Sequence, residues 1–243
     1  MQNSANGSFL LYNKEKLKIG KEGKNKMQDN KSSNYDKLSE EWRLKFLEMD
    51  KEPLKKKLPE IKQENDMFFI THFGEQYGVS LKDGTIFLAN QRERPVSNGV
   101  KMDIYNLFWY SKEDAFFINR WVPFRDVRGA SPFTPAFERN VLMPFAKTFE
   151  GHTEELKKAA EAIGGISVKQ GDAGYIIPAF DCIPMQYLFW DGDDEFSAQA
   201  NILYDYSVTD YIHVESTVSL ATEGILRLAE VAGLELKGNI FRM

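Results

Sequence analysis

The chain has 243 residues, 42% hydrophobic and 13% aromatic, with a net charge of −5. Behind a tail, that length suits one domain of roughly 200 residues with a bulky core. No apolar run reaches the roughly 18 residues of a membrane span, and Phe9-Leu10-Leu11-Tyr12 is too short for a secretory signal. The single cysteine, Cys182, excludes an internal disulfide, an iron–sulfur cluster and a cysteine-built zinc site within this chain, so a reducing cytoplasm is the expected location. Residues 1–33 hold seven lysines against three acids, which leaves −9 for the remainder. A domain that acidic lacks the basic face that nucleic-acid binding requires.

Residues 1–33 are rich in Lys, Asn, Gly and Ser and poor in large apolar residues, which predicts a disordered basic tail. Met27 stands as an alternative start to Met1. The domain is expected over 34–236, with 237–243 as a short C-terminal tail. Leu38, Trp42, Phe46 and Met49 form the apolar stripe of a helix over Tyr35 to Asp50. A three-strand meander is expected next, around Phe68–His72, Tyr77–Leu81 and Ile86–Leu88. Gly74-Glu75 and Asp83-Gly84 read as two-residue turns. Those turns pair His72 with Tyr77, Ile70 with Val79, Leu81 with Ile86 and Val79 with Leu88, all on one face. His72 then reads as a core histidine.

Four helices follow. One spans about 99–111, with Val100, Ile104, Leu107 and Phe108 on one stripe. A second, 135–149, starts from a Thr134 cap and kinks or splits at Pro144. A third, 154–163, starts from a Thr153 cap and stops at Gly164-Gly165. The last covers about 217–232 and ends at Gly233. Between the last two lie strand-like runs at Tyr175–Phe180, Met185–Trp190 and Asn201–Tyr206. The whole reads as α+β with a largely antiparallel sheet.

The stretches RWVPFRDV, PAFERNVLMPFA, AIGG, GDAGYIIPAF, FWDGDDEFSAQANILYDYS and YIHVES, over about residues 120–232, resemble the family catalogued as domain of unknown function 3786. The resemblance continues weakly back to the meander. It implies a protein of anaerobic bacteria or archaea with no assigned activity. Some members resemble fusions with a cysteine-rich iron–sulfur domain of the type found in corrinoid proteins. The resemblance therefore implies an accessory role beside a redox or one-carbon partner, which would carry any cluster itself.

Among candidate site residues, the acidic stretch stands out. No Lys or Arg occurs between Lys169 and Arg227, and Asp191, Asp193, Asp194 and Glu195 crowd one loop. Clustered carboxylates suit a divalent cation or a basic partner. A turn geometry, or pairing with Arg120, Arg125, Arg128 and Arg139, explains them as well. No resident cofactor is expected beyond such a cation. Trp190, beside the loop, joins it as a contact for a partner. Asp172 reads as a general base or a turn residue. Arg139, near a helix start, reads as an anion site or an internal ion pair. The alternative to a partner-binding domain is a small-molecule enzyme or sensor. Its pocket would lie between sheet and C-terminal helix, lined by Trp190, Tyr204, Asp205, His213 and Glu215.

Overall fold

The computed structural model describes residues 24–240. The chain divides into two units, one ending at Leu38 and one running from Ser39 onward. Helix α1 spans Lys24–Glu48, so helical structure begins inside the segment expected to be tail. Lys, Met and Gln are good helix formers without any apolar stripe to announce them. Residues 1–23 lie outside the described residues. At the other end Lys237 N–H donates to Thr148 Oγ1 at 3.0 Å.

The second unit is α+β with two antiparallel sheets. The first holds β1 (Lys62–Glu64), β2 (Met67–His72), β3 (Glu75–Ser80) and β4 (Ile86–Leu88) in that order. The expected meander is present with one strand added. β1 escaped notice because Lys62, Gln63 and Glu64 are all exposed and carry no alternation. The register differs from expectation. His72 pairs with Glu75, Ile70 with Tyr77, Tyr77 with Leu88 and Val79 with Ile86. The first turn is Phe73-Gly74, with φ of 44° and 76°, the pattern of a type I′ turn. The second is a four-residue loop closed by Ser80 N–H to Thr85 O at 2.9 Å. Both corrections move the register by two, so the faces are kept. Phe68, Ile70, His72, Tyr77, Val79, Ile86 and Leu88 are all buried.

The second sheet is ordered β5 (Trp121–Pro123), β9 (Gln199–Asp205), β8 (Ile183–Trp190), β7 (Ala173–Phe180) and β6 (Ile166–Ser167). Its three long strands match the expected runs. β5 and β6 are too short to leave a periodic signal. The β7–β8 ladder shifts register between Pro178 and Phe180, so Ala179 is a bulge residue without a strand partner.

Around the sheets pack α2 (Leu54–Lys57), α3 (Asn98–Tyr110), α4 (Thr134–Phe137), α5 (Met143–Phe149), α6 (Thr153–Ala162), α7 (Val208–Tyr211) and α8 (Ser216–Ala232). Thr134 and Thr153 depart from expectation. Thr134 is helical rather than a cap, because the turn Ser131–Phe133 feeds α4 directly. The helix over 135–149 is split just before Pro144, as expected, by a π-helical turn, Glu138–Leu142, that joins α4 to α5 and leaves Pro144 in the first turn of α5, where its missing N–H costs little. The cap position of α6 is His152, and Thr153 is already helical.

Gly74 packs against the end of α6, where an added Cβ would lie 3.0 Å from Ile163 Cα. Gly151 has the same φ of 76° with nothing within 4 Å of that position. Gly74→Ala is expected to lose about 1–2 kcal/mol more stability than Gly151→Ala in urea denaturation, because only the first adds a clash to the backbone strain. Equal losses would show that the contact with α6 carries no weight.

Candidate functional site

β2 alternates, so His72 falls on the buried face of the meander and is 2% exposed. Asp103 lies on α3 among Val100, Ile104 and Leu107 and is 0% exposed. His72 Nδ1 lies 2.9 Å from Ala179 O, which can only accept, so Nδ1 carries the proton. In the neutral ring Nε2 is then a bare acceptor. It faces Asp103 Oδ2 at 3.6 Å, beyond hydrogen-bond distance. Among the described residues, neither Nε2 nor either Asp103 oxygen has a hydrogen-bond partner. The imidazole also stacks on Phe180 at 4.5 Å.

Burial sets both protonation states. It pushes His72 down to about 4, with the Ala179 carbonyl opposing. It pushes Asp103 well above the usual carboxylate range, reinforced by Glu223 and opposed by the nearby Ser219 hydroxyl, which does not reach hydrogen-bond geometry. At neutral pH the imidazole is therefore uncharged, and burial favours the neutral form of the carboxyl that faces it.

His72 also forms the base of a cavity of about 290 Å³ between β2–β4, the start of α3 and α8. Phe73, Leu88, Val100 and Leu226 give it apolar walls. Its mouth carries a closed ring of ion pairs. Arg94 reaches Glu75 at 3.2 Å and Glu230 at 2.5 Å, and Arg227 reaches the same two acids at 3.3 and 2.8 Å. Tyr77 O–H donates to Glu75 at 2.8 Å, and Ser97 O–H donates to Glu223 at 3.3 Å. Arg227 Nε is buried and, among the described residues, has no hydrogen-bond partner.

None of the residues singled out from the acidic stretch lines this cavity. Asp191 accepts from Gly151 N–H at 2.8 Å, Thr153 O–H at 2.7 Å and Gly192 N–H at 2.9 Å. Partial burial raises its carboxyl, but these bonds outweigh it and hold the group below the usual carboxylate range. Asp193 accepts from Glu195 and Phe196 N–H, which lower it likewise. Asp172 accepts from Asp191 N–H at 2.8 Å and so joins two turns. Asp194 and Glu195 are exposed. Among the described residues, no group of three or more His, Cys, Asp and Glu side chains is placed to hold a metal ion.

The expected pocket of Trp190, Tyr204, Asp205, His213 and Glu215 is not assembled. Trp190 pairs with Gln199 at one end of β9, whereas Asp205 ends the strand six residues, about 20 Å, away. Tyr204 O–H donates to Thr217 O at 2.8 Å inside the core. Asp205 accepts from Ile118 and Arg120 N–H and from both Ser207 donors. His213 lies against Tyr110 and accepts from Glu215 N–H at 3.3 Å. Of the four arginines, Arg128 reaches the acidic stretch, at Asp210. Arg120 lies over Tyr206 and Arg125 over against Asp126. Arg139 is exposed on the π-helical turn and, among the described residues, forms no ion pair.

The sequence did hold a pointer to the site. Asp103 sits three residues after Val100 and four before Leu107, on the apolar stripe of its helix. A carboxyl there must be buried, and a buried carboxyl must be neutral or paired.

The family model for the domain of unknown function DUF3786 matches residues 55–226, and the chain belongs to that family. The match takes in the whole meander and α3, well before residue 120. Comparison with curated proteins and with solved structures found no match. No helix among the described residues is long and apolar enough to cross a membrane.

The pair makes a signed prediction about pH. His72 is held down to about 4 in the folded state against about 6.5 unfolded, so its contribution to stability rises with pH between those values. Asp103 is raised above its unfolded value of about 4, so its contribution falls as pH rises from there, by up to about 1.4 kcal/mol per unit, until folded Asp103 ionises. The two oppose each other in the wild type. Asp103→Asn leaves only the first, so its stability should rise with pH more steeply than that of the wild type between about 4 and 6.5. Urea denaturation of both proteins from pH 4 to 9 measures this, and parallel curves would contradict the assignment.

Proposed function

We propose that this domain binds a small molecule in the cavity above His72, as a sensor or enzyme. The observation that carries the reading is a concave cavity in which apolar walls from Phe73, Leu88, Val100 and Leu226 meet the alternating charges of Arg94, Glu75, Arg227 and Glu230. A concave apolar cavity with a few converging polar groups and a shifted imidazole supports the same reading.

The accessory role beside a redox or one-carbon partner draws support from a different surface. Phe116, Phe117 and Ile118 are 67%, 44% and 43% exposed in one run, and Phe117 meets the edge of Trp121 at 5.8 Å. Consecutive exposed apolar side chains of this size suit a protein contact.

The cavity reading is tested by incubating the full chain with a low-molecular-weight extract of the source cells. Unbound material is removed, and retained compounds are identified by native mass spectrometry. Leu226→Trp fills the cavity from its rim. Wild type is expected to retain a compound that the folded Leu226→Trp variant loses at least tenfold. Equal retention by both, or none by either, would overturn the reading.

A further inference from the structure

We infer that the cavity takes a small zwitterion, an α-amino acid with an apolar side chain or a close analogue; this rests on the cavity being a binding site. The mouth alternates two guanidinium groups with two carboxylates, each arginine touching both acids. A simple anion meets Arg94 and Arg227 but is repelled by Glu75, Glu230 and Glu223. A simple cation meets the acids but is repelled by both arginines. A molecule carrying both charges a few ångströms apart replaces each broken pair with a new one of the same kind. Opening the ring costs little, because its members are 15–46% exposed and pairs in that setting contribute about 0–1 kcal/mol each.

Beneath the charged mouth, Phe73, Leu88, Val100 and Leu226 offer apolar contact for a side chain. A cavity of about 290 Å³ lies at the small end of ligand sites, the size of one amino acid rather than of a nucleotide.

The test titrates the full chain calorimetrically with each of the twenty amino acids. The best binder is then compared with its amide, which keeps only the positive charge, and its N-acetyl form, which keeps only the negative one. An apolar amino acid is expected to bind, with both derivatives at least tenfold weaker. Arg94→Gln and Glu230→Gln, both at the exposed mouth, should each weaken the amino acid about tenfold while circular dichroism shows them folded. Arg94→Lys should recover part of the loss. A derivative that binds as well as its parent would overturn the zwitterion. So would twenty failures. If the amino acids fail but the cell extract still loads a compound that Leu226→Trp excludes, the ligand class is wrong and the cavity stands. If neither binds, both readings fall.

Discussion

The carbonyl of Ala179 is the point on which the rest of the site depends. It accepts from His72 Nδ1–H at 2.9 Å and from Phe73 N–H at 3.1 Å. It is available because the β7–β8 ladder bulges there and leaves Ala179 without a strand partner. One acceptor with two lone pairs thus joins the turn of the first sheet to the hairpin of the second. It also selects the tautomer of His72, since Nδ1 must carry the hydrogen. The bare nitrogen turned toward Asp103 follows from a bulge more than a hundred residues further along the chain.

That arrangement governs charge as well as geometry. An ionised imidazole and carboxylate at 3.6 Å would each lose their hydration for one mutual contact, without further hydrogen bonds to repay it. Burial instead favours the neutral form of both groups. Three elements distant in sequence contribute: β2 supplies the imidazole, α3 the carboxyl, and α8 the Glu223 charge that adds to the effect of burial on Asp103.

Faces were legible in the sequence where positions were not. Both hairpins of the meander sit two register steps from their expected pairing, yet parity alone puts His72 among Phe68, Ile70 and Val79. The Phe73-Gly74 turn was not legible, because a bulky aromatic at positive φ runs against the usual preference. Nor was the π-helical turn before Pro144, which looks locally like an ordinary helix with a breaker. The cavity was the hardest to foresee. Arg94 lies on an exposed connection, Glu75 on β3, and Arg227 and Glu230 on α8. Their meeting is a product of tertiary packing, with no spacing rule to reveal it. The expected pocket lay beside the correct C-terminal helix but drew on residues at opposite ends of β9.

The acidic stretch attracted notice for its charge, yet its carboxylates are largely committed. Asp205 serves four donors, Asp191 three and Asp193 two, and Asp210 holds Lys112 and Arg128. Loops and strand ends have no ladder to receive their N–H groups, and an Asp side chain is a compact acceptor that reaches them. Acids gather in this region because its connections are irregular. The charges at the cavity are the reverse case. Arg94, Glu75, Arg227 and Glu230 come from three separate parts of the chain and meet in one closed ring beside the apolar walls of Phe73, Leu88, Val100 and Leu226. Such partly exposed pairs add little to stability, so the ring leaves its charges open to exchange for those of a ligand.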